Sequence, residues 1–192
     1  MSTQGLAGAL RALTAALEEL PAPAAIIGGV AVIARGVPRA TVDVDATVSG
    51  AAVEVELLAE TLARHEIVPR IEAAIAFARS RHVFLAEHRP SGVAVDVSFA
   101  WLPFEEEAIA AAEPQEMAGV LIRVVRPEDL VIYKMVAARP RDIDDIEGLL
   151  LVHGREMNLT RVRAVVADFA AALEDTERPA ILARLLRGAG LE

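Results

Sequence analysis

Apolar residues recur every three or four positions over residues 6–20, with Glu18 and Glu19 on the other face. That spacing predicts an amphipathic helix, closed by Pro21 and Pro23. Residues 24–27 form a short apolar run before Gly28-Gly29, which reads as a strand ending in a tight turn. A short helix over 30–35 follows, stopped by Gly36 and Pro38. Over 41–48 the period changes to two. Val42, Val44, Ala46 and Val48 face one way, and Asp43, Asp45 and Thr47 face the other. A second amphipathic helix is predicted over 51–65, then a strand and a helical or loop stretch within 67–81. Residues 82–87 and 93–99 read as strands joined by Arg89-Pro90-Ser91-Gly92, an antiparallel hairpin. In the second of these, Val93, Val95, Val97 and Phe99 alternate with Ala94, Asp96 and Ser98. A short helix is expected at 105–112 and a last strand at 121–125.

After Pro127 the texture becomes helical, with patterns at 127–138, 142–153, 159–173 and 177–187. Pro127-Glu128-Asp129 places acids in a first turn, where the helix dipole favours them. The chain therefore reads as an α/β (α+β) protein. A small mixed sheet flanked by helices occupies residues 1–126, and a C-terminal helical bundle occupies 127–192. At 192 residues a core can form without disulfide or metal staples. With 54% hydrophobic but only 4% aromatic residues, that core is aliphatic. There is no cysteine, which excludes disulfides, thiolate zinc sites and thiol nucleophiles. The net charge of −9 argues against a protein built mainly to grip nucleic acid. No basic stretch precedes an apolar one near the start, and the uncharged run 21–34 is shorter than a membrane span. A cytoplasmic chain with no membrane partner is expected.

The chemistry concentrates in Gly28-Gly29, then thirteen residues, then Asp43-Val44-Asp45. A Gly-Gly turn lets backbone N–H groups approach phosphate oxygens, aided by the helix that follows. Two aspartates at i and i+2 on a strand point the same way, about 7 Å apart. At that spacing they can share Mg²⁺, which takes one or two carboxylates and completes its shell with triphosphate oxygens. Asp96, on another alternating strand, is the candidate third acid. No dinucleotide-binding G-x-G-x-x-G and no P-loop is present. His65, His82, His88 and His153 have neither i, i+4 pairing nor cysteine company, so they read as structural or surface residues. The arginines between Arg64 and Arg89 form a mild basic zone. Asp142 and Asp145 read as capping and stabilising the helix they open, with Arg139 pairing with them.

This combination resembles the nucleotidyltransferase superfamily related to DNA polymerase β, with its Gly-Gly turn, Asp-x-Asp pair and later third acid. The stretch Arg39-Ala40-Thr41-Val42-Asp43-Val44-Asp45 is also similar to the bacterial branch of minimal nucleotidyltransferases and AbiEii-type toxins. A second match is Arg126-Pro127-Glu128-Asp129-Leu130, then Lys134, Arg139, Asp142 and Asp145. The resemblance implies the polymerase β-like fold and a Mg²⁺-dependent transferase, with Mn²⁺ as the alternative ion. Asp43, Asp45 and Asp96 would be both catalytic residues and metal ligands, with Asp96 helping to deprotonate the acceptor hydroxyl. Gly28 and Gly29 would cradle the nucleoside triphosphate, Lys134 would neutralise it as a mobile charge, and Arg39 would contact triphosphate or acceptor. The acceptor is left open between RNA, protein and small molecule, and a toxin role would bring a cognate antitoxin. A non-catalytic nucleotide-binding or protein-interaction relative is the alternative, and an antibiotic-modifying nucleotidyltransferase a further one.

Overall fold

The computed structural model describes residues 3–50 and 52–192. The chain divides into two compact units. One comprises residues 1–34 and 39–125, and the other comprises 35–38 and 126–192.

The first unit opens with α1 (Thr3–Glu18), β1 (Ala24–Ile27) and α2 (Gly28–Ala34), which begins on the glycine pair itself. Then come β2 (Asp43–Ser49), α3 (Val55–Arg64), β3 (Ile67–Pro69) and α4 (Ala74–Arg81). The expected start of the second helix at 51 falls on a residue outside the described ones, and α3 begins at Val55. The hairpin strands are β4 (Val83–His88) and β5 (Val93–Ala100), followed by α5 (Pro103–Ala110), β6 (Glu113–Met117) and β7 (Val120–Val124). The seven strands form one mixed sheet in the order β3-β4-β5-β2-β1-β7-β6. The pairs β2/β5 and β1/β7 are parallel and the others antiparallel.

One strand escapes the hydrophobic pattern. Glu113-Pro114-Gln115-Glu116-Met117 has no apolar alternation, yet it forms β6. It is an edge strand, paired with β7 in a hairpin that turns through Ala118 and Gly119, both at positive φ. Charge and proline suit an edge, where they block pairing with a further strand.

The sheet has one dry face. Val44, Ala46, Val48, Val93, Val95, Val97, Phe84 and Ala86 are buried there. Helices α1 and α3 supply Leu10, Leu13, Leu58 and Leu62, all fully buried, and α1 contacts β2, β5 and α3. Alternation puts the intervening residues on the opposite face. At its far end α5 packs on β2. There Thr47 and Ser49 are buried, and the Ser49 hydroxyl donates to Glu106 Oε1 at 3.0 Å. The aspartates lie at the other end.

The second unit is helical: α6 (Pro127–Ala137), α7 (Pro140–His153), α8 (Leu159–Ala172) and α9 (Glu177–Gly188). Its aliphatic core includes Leu130, Ile132, Met135, Ile146, Leu149 and Leu186. Residues 35–38 belong to it: His153 Nε2 lies 2.7 Å from the Arg35 carbonyl oxygen, and a Cβ on Gly148 would meet Val37. No helix among the described residues is long and apolar enough to cross a membrane.

Candidate active site

The register of the sheet assembles the acids. Asp45 on β2 stands directly opposite Asp96 on parallel β5, so their backbones are about 4.8 Å apart. Asp43 lies two residues before Asp45 and shares its face. All three are half-buried, while the valines between them are fully buried. The same transverse row continues outward. Leu85 on β4 stands opposite Asp96, and the Arg70 backbone N–H donates to the Leu85 carbonyl (3.2 Å). On the other side, Ile27 stands opposite Asp45, and the next residue is Gly28.

The glycine pair belongs to this site by contact. Gly28 has φ +65°, and a Cβ there would lie 2.6 Å from Cγ of Asp45. Only glycine satisfies both conditions, since an L-residue is strained at that φ and has no room. A Cβ on Gly29 would meet the Thr41 hydroxyl and lie 3.1 Å from Cζ of Arg39. The turn, Asp45, Thr41 and Arg39 therefore share one neighbourhood. We expect Gly28→Ala to cost about 1–2 kcal/mol of stability from backbone strain. Because it also displaces Asp45, it should cut the activity of this site by about 100-fold. A melting curve beside a rate measurement separates the two; a variant that keeps full activity removes Gly28 from the site.

Two neighbours, not singled out by sequence reasoning, hold the acids. The Thr41 hydroxyl donates to Asp43 Oδ1 at 2.8 Å. Arg70 pairs with Asp96 through both nitrogens: Nη1 with Oδ1, and Nη2 with Oδ2 at 3.1 Å. Thr41 lies inside the motif and was visible as a hydroxyl two positions before Asp43. The partners Arg70 and Asp96 are 26 positions apart, and only the β3-β4-β5 pairing brings them together.

Among the described residues no group of three or more His, Cys, Asp or Glu side chains is gathered to hold a metal ion by itself. The donor set nevertheless suits Mg²⁺. It consists of hard carboxylate oxygens on one open face, beside a glycine cradle that a Cβ would fill, and triphosphate oxygens complete such a shell.

Lys134 is placed differently from the sequence expectation of a mobile charge. It lies within the helical unit, its side chain 9% exposed, with Nζ 3.1 Å from Asp142 Oδ1 and 2.7 Å from Asp145 Oδ2. Asp142 also accepts from the Arg139 backbone N–H (3.1 Å) and side-chain Nε (2.8 Å), which caps α7. Burial pushes the Asp142 carboxyl up, but the hydrogen bonds from Arg139 and Lys134 outweigh it and hold it below the ordinary carboxylate value. A second buried acid, Asp129, is held by Arg126 (3.1 Å) and Arg161 (2.6 Å).

Residues 7–187 match a family described as nucleotidyl transferase of unknown function (DUF2204), and the chain belongs to that family. Among solved structures, the antibiotic-resistance factor ANT(2'')-Ia in solution is similar to it. The TM-score is 0.61 at 23% identity, over 90% of this chain and 95% of that one. The crystal structure of ANT(2'')-Ia in complex with adenylyl-2''-tobramycin gives 0.59 at 21%, over 90% and 99%. An antigenic nucleotidyltransferase-like protein from Paracoccidioides brasiliensis gives 0.54 at 16%, over 96% and 94%. At these identities the likeness is one of fold, and the fold is that of nucleotidyltransferases. No curated protein matches the sequence.

Proposed function

We propose that this protein transfers a nucleoside monophosphate from a nucleoside triphosphate to an acceptor hydroxyl, with Mg²⁺ held by Asp43, Asp45 and Asp96. The observation that carries this reading is the register of the sheet, which sets Asp45 opposite Asp96 with Gly28 against Asp45. When bound, the metal supplies charge neutralisation at the attacking and leaving oxygens of an in-line displacement.

The chain's own residues do the rest. Asp43 and Asp45 would hold the ion beside the seat of the triphosphate. The Gly28-Gly29 backbone seats phosphate oxygens, and Arg39, over Gly29, contacts the triphosphate. Asp96 takes the proton from the acceptor hydroxyl as its oxygen bonds to the α-phosphorus. The bond from that phosphorus to the β-phosphate oxygen breaks, and pyrophosphate leaves. Lys134 serves within its helical unit as the counter-ion of Asp142 and Asp145.

For the acceptor we favour a small polycationic molecule carrying hydroxyls. The net charge of −9 supports it, as does a fold shared over nearly the whole length of ANT(2'')-Ia, a factor solved with an adenylylated antibiotic. The AbiEii-like stretch 39–45 supports a second reading, a toxin component that modifies RNA or protein and is restrained by an antitoxin. The test incubates the protein with each α-labelled nucleoside triphosphate, Mg²⁺ or Mn²⁺, and three acceptor pools: hydroxylated polyamines and amino sugars, RNA, and protein. Metal-dependent label on the first pool supports the favoured acceptor, and label on RNA or protein supports the toxin reading. Nucleotide binding with neither transfer nor hydrolysis, and with Asp43→Ala behaving as wild type, would leave a non-catalytic relative.

A further inference from the structure

Asp96 and Asp43 are held in chemically different ways. Asp43 accepts a hydrogen bond from the Thr41 hydroxyl, a neutral donor that fixes its rotamer. Asp96 carries a full counter-charge on both oxygens. Arg70, just beyond the edge strand β3, stretches across Leu85 to make this pair, and its Nη1 also donates to the Ala86 carbonyl oxygen (3.2 Å). The two side chains are 29% and 27% exposed, so the pair is only partly screened by water. A fork-to-fork arginine–carboxylate pair fixes orientation as well as charge.

We propose that Arg70 is a positioning residue for the third carboxylate, aligning Asp96 on the active face while competing with the divalent cation for its oxygens. The proposal rests on the reading of Asp43, Asp45 and Asp96 as metal ligands. An Asp96 oxygen that coordinates a cation has to loosen its bond to the guanidinium, and the positive charge of Arg70 opposes a second positive charge beside it. The nucleotide-free site is therefore weaker for cations than three acids alone would make it. Triphosphate oxygens offset that penalty, because they bring negative charge to the same face. Arg70 thus favours joint loading of metal and nucleotide over metal alone.

A merely structural arginine makes the opposite prediction. Without it Asp96 loses its orientation, and the metal site weakens or stays the same. The experiment titrates Mn²⁺ alone into wild type, Arg70→Gln, Arg70→Lys and Asp96→Asn, and counts free ion by electron paramagnetic resonance. Arg70→Gln is expected to bind Mn²⁺ about tenfold more tightly than wild type, and Asp96→Asn more weakly. Arg70→Lys keeps the charge but not the fork, so it is expected to fall between wild type and Arg70→Gln. It carries the test alone if the glutamine variant does not fold. Unchanged or weaker Mn²⁺ binding in the folded Arg70 variants overturns the proposal, as does Mn²⁺ binding unaffected by Asp96→Asn. In transfer assays Arg70→Gln should lower kcat with little change in KM for the triphosphate. If the Mn²⁺ order holds but no acceptor is ever labelled, Arg70 keeps its role and the transferase reading fails. If transfer is intact but the Mn²⁺ order is reversed, the transferase reading stands and the Arg70 proposal fails.

Discussion

Asp45→Asn is expected to lower nucleotidyl transfer by on the order of 10³-fold while the protein stays folded. The substitution keeps the side chain's shape and one acceptor oxygen but removes the charge that holds a cation. Asp45 is the acid on which the site converges. It faces Asp96 across the strand pair, shares a face with Asp43, and lies where a Cβ of Gly28 would be. Asp45 and Asp96 stand directly opposite, but Arg70 neutralises Asp96, so their repulsion costs the sheet less than about 1 kcal/mol. Neutralising one of them should therefore leave the melting temperature close to wild type in metal-free buffer. Addition of Mg²⁺ with a nucleoside triphosphate should then raise the melting temperature of wild type, because a ligand that binds only the folded state stabilises it. Asp45→Asn should show little of that rise. Full activity in the folded variant, or a rise equal to wild type, would take Asp45 out of the metal site.

The strand faces on which Asp43, Asp45 and Asp96 lie were legible because that signal is local. Asp43 and Asp45 flank the buried Val44, and Asp96 stands likewise between Val95 and Val97; Val42, which the same alternation places on the buried face, is 55% exposed because β2 begins only at Asp43. The hairpin turn was legible too: Gly92 takes positive φ there, as a Ser-Gly turn favours. What was not legible depends on long-range pairing or on the absence of a pattern. Strand β6 has no apolar alternation to betray it and exists because β7 offers an edge. The parallel pairing of β2 with β5, which aligns Asp45 with Asp96, follows from the order of strands in the sheet and from no residue in either strand. Arg70 belongs to a run of arginines that looks like a solvated face, and its partner is reached only across β4. For Lys134 the sequence showed a lysine in an apolar helix; it did not show that Asp142 and Asp145 fold back onto that lysine one helix later.

Lys134→Met should destabilise the helical unit by about 3–5 kcal/mol at neutral pH, the range expected when one partner of a buried ion pair is removed. Methionine matches the length of the lysine stem, so the loss is electrostatic rather than a cavity. Asp142 keeps Arg139 as a partner, but the Arg139 side chain is 74% exposed and water weakens its help. Asp145, 5% exposed, loses the ammonium that stood 2.7 Å away. The pH dependence separates this account from simple loss of packing. In wild type the folded Asp142 carboxyl is held below its unfolded value. Its stabilisation is therefore complete above the unfolded value, about 3.9, and is lost only as pH falls through the lower folded value. In the variant, the Asp142 carboxyl loses the lysine hydrogen bond and charge that help to hold it down against burial, so its folded value rises relative to wild type. A carboxyl whose folded value is raised gains stability as the pH falls and it takes up a proton. Between neutral pH and about pH 4.5 wild type should hold its stability with respect to this group while the variant recovers, so the gap narrows. Urea unfolding at both pH values, followed by circular dichroism, measures that gap. A constant gap would assign the loss to packing, and a variant as stable as wild type at neutral pH would mean that the two aspartates do not depend on Lys134 at all.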